Sequence, residues 1–122
     1  YFYEALAYID KHYSDLEGEM YYPDDKKIYI QLAGILLISK DYGEAKRIAE
    51  MGLRFFPNSD FLWEELAVSE NELHHQQVAL IAAGKAKELN SNRFTNHLYT
   101  AIMNKEDLPP IVTKIILDQH LK

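Results

Sequence analysis

The sequence predicts an all-α fold of about seven helices, arranged as antiparallel helical hairpins stacked side by side. Three observations carry this. A small pattern recurs at a fixed spacing of 34: Tyr29, Leu32, Ala33, Ala45 and Ala49 return as Trp63, Leu66, Ala67, Ala79 and Ala83. Apolar residues recur with helical period, and no segment alternates with the period of two that a strand requires. The polar breaks between these segments are short, which makes consecutive helices antiparallel neighbours. A fixed repeat of this length means a stack of like units rather than one layered core.

Each element has its own signals. Helices are expected near 2–13, 25–39, 42–56, 60–72, 75–89, 93–104 and 109–121. Segment 14–24, with Gly18 and Pro23, is the one long break and reads as a loop or a distorted helix end. Asp24 or Asp25 can cap the helix that follows. Lys40-Asp41-Tyr42-Gly43 is a tight helix–helix turn. Pro57-Asn58-Ser59 ends one helix and caps the next, because a side-chain oxygen there accepts an orphan backbone N–H. Asn90-Ser91-Asn92 does the same one period later. Asp107 precedes Pro109 and Pro110, and proline is tolerated in a helix's first turn. Ala33, Ala45 and Gly52 recur as Ala67, Ala79 and Ala86. Small residues there let two helices approach to the low end of about 8–10 Å between axes. Tyr29 and Trp63 fill the space between consecutive hairpins.

This pattern resembles the tetratricopeptide repeat family. The 34-residue helix–turn–helix signature is matched over 26–59 by Tyr29, Leu32, Ala33, Tyr42, Ala45, Gly52, Leu53 and Pro57, and over 60–93 by Trp63, Leu66, Ala67, Ala79, Ala83 and Ala86. Residues 94–122 match less: Ala101 keeps phase with Ala33 and Ala67, but Thr113 stands where alanine is expected, so this stretch reads as a degenerate repeat or C-terminal cap. Residues 1–25 read as a truncated or capping helix with an acidic loop. The chain is taken as one domain over 1–122, a fragment of a longer protein. The resemblance implies a right-handed solenoid acting as a non-catalytic protein-interaction module, with no cofactor. Two alternatives stand beside it. One is a chaperone or assembly factor for an apolar client segment. The other is a substrate-recruiting appendage of an enzyme outside the chain.

In this family the first helix of each hairpin lines a concave groove. That implies a partner-binding groove made of Lys27, Ile30, Gly34 and Leu37 from the first repeat, Phe61, Glu64, Val68 and Asn71 from the second, and Leu98 and Ile102 from the third. Such a groove has apolar ends and an acidic, polar middle, suited to a peptide or helix carrying hydrophobic anchors and a basic residue. Helix 25–39 is apolar nearly all round, and such helices are buried. Its Ile30–Leu37 stripe is covered by a partner, by the N-terminal helix or residues further upstream, or by a second copy in a homodimer. Some members clamp a chaperone's C-terminal carboxylate with basic groove residues. Here Glu64 and Glu65 occupy that face and repel a carboxylate.

Composition narrows the classes further. The 122 residues include no cysteine, so disulfide and thiolate chemistry are excluded. The net charge of −6 arises in residues 1–25, where seven acids face Lys11 alone. That excess reads as a solvated face and loop, with a contact for a basic partner as the alternative. The remaining chain is neutral, which argues against nucleic acid. Lys46, Arg47 and Arg54 are interleaved with Glu44 and Glu50 as a mixed surface. Glu64, Glu65, Glu70 and Glu72 read as a solvated acidic face. His74 and His75, adjacent on the chain, diverge by roughly 100° if helical and do not chelate one ion; they read as solvent-facing turn residues. His97 and His120 form a weaker metal candidate. The apolar run from Ile28 to Ser39 is too short to span a membrane. The cytoplasm is the expected compartment, with the periplasm left open.

Overall fold

The computed structural model describes residues 26–104. The helices expected at 2–13 and 109–121, the break at 14–24, Thr113 and His120 lie outside them. Five helices make up this part, and among the described residues there is no strand. They are α1 (Lys26–Ile38), α2 (Tyr42–Phe55), α3 (Asp60–Glu72), α4 (Gln76–Leu89) and α5 (Arg93–Met103). All five fall where the hydrophobic period and the breaks put them, with ends shifted by one residue at most.

The repeat is legible in the backbone. α1 and α3 begin 34 residues apart, as do α2 and α4. Both hairpin turns are built alike. After α1, the N–H of Asp41 donates to the carbonyl of Leu36 (2.9 Å) and that of Lys40 to Leu37 (3.0 Å). After α3, His75 donates to Glu70 (2.8 Å) and His74 to Asn71 (3.1 Å). These paired bonds are the Schellman arrangement, which needs a left-handed residue just past the helix. Lys40 (φ 62°) and His74 (φ 64°) take that conformation. Neither is glycine, and nearby Gly43 sits inside the first turn of α2 instead.

The small residues do what their spacing suggests. Ala33, Ala45, Ala67, Ala79, Ala83 and Ala86 are all completely buried. Gly52 is where α2 comes closest to its neighbours: a β-carbon there would lie 2.8 Å from Tyr29 Cβ and 3.0 Å from Leu62 Cδ1. Tyr29 is fully buried at this junction, its ring stacked on Phe55 (centroids 6.5 Å apart) and tilted against Phe56 (6.2 Å). Trp63, one period later, is only half-buried, and its indole N–H donates to the carbonyl of Pro57 (2.8 Å). Each helix packs on the next; in addition α1 touches α3 and α3 touches α5. The odd-numbered helices thus form one layer, with α2 and α4 on its other side.

Candidate partner-binding face

The layer α1–α3–α5 is where the groove residues were placed from sequence. The structure distributes them unevenly. Lys27 is exposed, and Phe61 and Asn71 are half-buried. Ile30, Gly34, Leu37, Glu64, Val68, Leu98 and Ile102 are buried. Ile30, Leu37, Val68, Leu98 and Ile102 belong to the same core cluster as Tyr29, Leu36 and Ile48. The apolar ends expected of a groove are therefore spent on the core. The accessible edge of the layer is formed by Lys27, Gln31, Ile38 (56% exposed), Phe61, Asn71 and Glu72.

α5 sits one residue out of step. Its cap, Asn92, follows the cap of α3, Ser59, by 33 residues rather than 34. At that spacing the fully buried Leu62, Glu65 and Ser69 correspond to the fully buried Thr95, Leu98 and Ile102. The connection after α4 is one residue shorter than that after α2, and one residue turns a helix by about 100°. Its cap is also the better made. The Asn92 side chain accepts from the N–H groups of Phe94 (2.8 Å) and Thr95 (3.0 Å), and Thr95 Oγ1 accepts from the N–H of Asn92 (2.9 Å). Ser59 Oγ accepts only from Leu62, at 3.4 Å.

The acidic run of α3 is not the solvated face that its charge suggested. Glu64 is 3% exposed, Glu65 0% and Glu70 2%. Seven consecutive residues, Glu64 to Glu70, are buried. At about 100° per residue these point in every direction, and α3 touches α1, α2, α4 and α5. A buried carboxylate is retained only with partners. Glu70 has two on one oxygen: Lys46 Nζ of α2 at 3.1 Å and His75 Nδ1 at 3.3 Å. The charge pattern alone assigns Lys46 to a mixed surface on one helix and Glu70 to an acidic face on another. The signal that could have joined them is phase: Glu70 stands 34 residues after Leu36, a core leucine.

The joints between hairpins use matching positions. Tyr42, which opens α2, lies near Glu72 at the end of α3. Burial, and secondarily the negative charge of Glu72, push its hydroxyl above the ordinary value of 10.0. Gln76, one period later, opens α4 and donates its side-chain N–H to the carbonyl of Ile102 at the end of α5 (3.0 Å). Lys87 of α4 lies over the ring of Tyr99 of α5, 4.9 Å from its centre.

On the outer side of α2, Arg47, Glu50, Met51 and Arg54 line an open cleft of about 220 Å³. Arg47 donates from both Nε and Nη2 to Glu44 Oε2 (3.1 and 2.8 Å), so this is the mixed-charge surface that the interleaving suggested. His74 and His75 are both exposed, and so is His97. Among the described residues no group of three or more His, Cys, Asp or Glu side chains is placed to hold a metal ion, and no helix is long and apolar enough to cross a membrane.

No protein-family model matches the chain. No curated protein and no solved structure matches it either. The residues and their packing alone carry any functional reading.

Proposed function

We propose that the chain is a non-catalytic protein-interaction module, a tetratricopeptide-like right-handed solenoid that presents the α1–α3–α5 layer to a segment of a partner protein. One observation carries this reading: alternate helices touch in series, α1 on α3 and α3 on α5. A stack joined in this way offers a continuous rigid face rather than the closed core of a bundle. Rigidity lowers the ordering cost of binding. The partner segment meets the accessible edge of the layer, with Ile38 and Phe61 as apolar contacts and Asn71 and Glu72 as polar ones. It brings hydrophobic anchors and a basic residue to them.

The burial of Ile30 and Leu98 dictates how to test this. Charging those positions would damage the core, so loss of binding would say nothing about a groove. The informative variants change the exposed edge: Ile38→Glu, and Asn71→Arg with Glu72→Arg. A displayed peptide library is selected against the 122-residue chain, and enriched peptides are titrated against each variant. Peptides carrying apolar anchors and a basic residue are expected. Both variants should weaken them at least ~10-fold, about 1.4 kcal/mol, with unchanged helical circular dichroism. Selection of no peptide, or affinity indifferent to both variants, overturns the reading.

A further inference from the structure

α3 and α5 each rest on the outer helix of the hairpin before them. α3 packs more on α2 than on α1, and α5 more on α4 than on α3. The places that α3 turns to this joint, Leu62, Ser69 and Glu70, are buried. Two contacts fix the register. Gly52 of α2 lies against Leu62, whose Cδ1 would be 3.0 Å from a β-carbon there. Lys46 Nζ of α2 reaches Glu70 Oε1 at 3.1 Å. On α1 the same places hold Ile28, Ile35 and Leu36. Among the described residues no helix precedes α1. Ile28 is 36% exposed there, and Ile35 is half-buried. The end of a stack needs a cap, because an open apolar face invites further stacking.

We propose that residues 2–16 of this chain are that cap, laid on α1 as α2 is laid on α3, with Leu6 against Leu36 and His12 against Ile28. The sequence repeats α2 there at a spacing of 40. Phe2, Glu4, Ala5, Tyr8, Ile9 and Asp10 stand for Tyr42, Glu44, Ala45, Ile48, Ala49 and Glu50. Leu16 then corresponds to Phe56, which ends α2. The spacing exceeds 34 by the extra length of the connection, 17–25 against 57–59. The chemistry agrees across the joint. Where α3 has Glu70, α2 has Lys46; where α1 has Leu36, the corresponding place in 2–16 holds Leu6. An ion pair at one joint is thus replaced on both sides by leucine at the other. A buried charge needs its partner, and a buried leucine needs none. His12 stands at the place of Gly52, and its bulk holds the segment off the start of α1, where Ile28 keeps its partial exposure. Glu4 and Asp10 fall on the outer side with Glu44 and Glu50, which leaves those acids in water.

The test transplants the ion pair. Leu36→Glu and Leu6→Lys should each lower the urea midpoint of the 122-residue chain. The double variant should regain most of what Leu36→Glu loses. Ala7→Lys in place of Leu6→Lys should regain none, because Ala7 stands at the place of Arg47, which pairs with Glu44 on the outer side. Where Leu36→Glu leaves too little folded chain to titrate, cross-linking decides. The chain has no cysteine of its own, so His12→Cys with Ile28→Cys offers one pair to a short bismaleimide. That pair should close within one chain. Asp10→Cys with Ile28→Cys should close far less, since position 10 faces outward. No recovery by Leu6→Lys in a folded Leu36→Glu chain overturns the proposal, and so does equal recovery by Ala7→Lys. Cross-linking that fails to separate His12→Cys from Asp10→Cys also overturns it. Products joined between two chains overturn it too, and give the face to a second copy.

Discussion

α1 and α3 occupy equivalent places in successive repeats and are built from opposite chemistry. Ile30 corresponds to Glu64, Gln31 to Glu65, Ile35 to Ser69, Leu36 to Glu70 and Leu37 to Asn71. Leu36 and Glu70 are buried alike, at 0% and 2%. The shape of the repeat is thus set by the small residues and turns that the two units share. The larger side chains are free to differ, provided each buried charge finds a partner. At Glu70 the partners come from both sides of the joint, Lys46 from the hairpin before and His75 from the turn behind. A hydrophobic stripe holds α1 in place. α3 is held in part by an ion pair that also joins the two hairpins.

Exchanging residues between the two helices breaks this comparison most sharply. Leu36→Glu installs a carboxylate in a site surrounded by core side chains, with no built partner. It should cost about 3–5 kcal/mol, enough to consume most of the stability of a small domain. Glu70→Leu is the reverse exchange. It removes a desolvated charge and inserts a side chain that the repeat accepts one period earlier. Its effect should be small, within about 1–2 kcal/mol of zero and of either sign. Glu70→Ala keeps the loss without the packing and should be the worse of the two. Urea unfolding midpoints decide. Comparable large losses for Leu36→Glu and Glu70→Leu would mean that Glu70 does more than stand in for a leucine.

The close approaches come next. Gly52 and Ala86 are equivalent, yet only Ala86 carries a β-carbon. Gly52→Ala gains up to about 1 kcal/mol of helix propensity, but its new carbon meets Tyr29 Cβ at 2.8 Å, close to backbone that cannot swing aside. The overlap should win, with a net loss of about 1–3 kcal/mol. Ala86→Gly meets no overlap and should cost about 1 kcal/mol through propensity and a lost methyl. Thermal midpoints of the two variants, measured side by side, should fall in that order. A stabilised Gly52→Ala would show that the first hairpin has slack at this junction.

How much of this the sequence disclosed depends on what periodicity can carry. The positions of the five described helices, the hairpin turns and the small-residue contacts are readable, because each is local or follows from phase. The left-handed residues at Lys40 and His74 were not, since neither is glycine; only the paired backbone bonds reveal them. The chemistry of the face was read least well. Apolar residues at helical spacing were divided between core and groove by the family resemblance, and the structure sends Ile30, Leu37, Val68, Leu98 and Ile102 to the core. A helix's own pattern does not count its neighbours, and α3 touches α1, α2, α4 and α5. The one-residue slip of α5 could be anticipated only by measuring from cap to cap, from Ser59 to Asn92, rather than from alanine to alanine.

Those two caps offer a smaller test. Asn92 satisfies two orphan N–H groups and is answered by Thr95, whereas Ser59 accepts one long bond. Asn92→Ala should cost about 1–2 kcal/mol and Ser59→Ala about 0.5 kcal/mol. Hydrogen exchange should locate the first loss at the start of α5 and the second at the start of α3. Equal losses would mean that bond geometry at the cap matters less than the surroundings.

The smallest effect concerns the joints and appears only in alkali. Tyr42 and Gln76 open equivalent helices, but only Tyr42 titrates. Burial and the nearby Glu72 disfavour its phenolate in the folded state, so its hydroxyl ionises at higher pH folded than unfolded. With the folded value raised, the unfolded chain releases this proton first as pH climbs. The contribution of Tyr42 to stability is complete below pH about 10 and is lost as pH rises from there through the folded value. Partial exposure of the ring keeps the effect modest. Tyr42→Phe has no proton to lose and should flatten the alkaline limb of a stability–pH curve while leaving neutral pH little changed. Glu72→Gln should flatten it less, because burial is the larger cause. If Glu72→Gln flattened the limb as much as Tyr42→Phe, charge rather than burial would dominate at this joint, and the first hairpin would be tied to the second by electrostatics at Tyr42 as well as at Glu70.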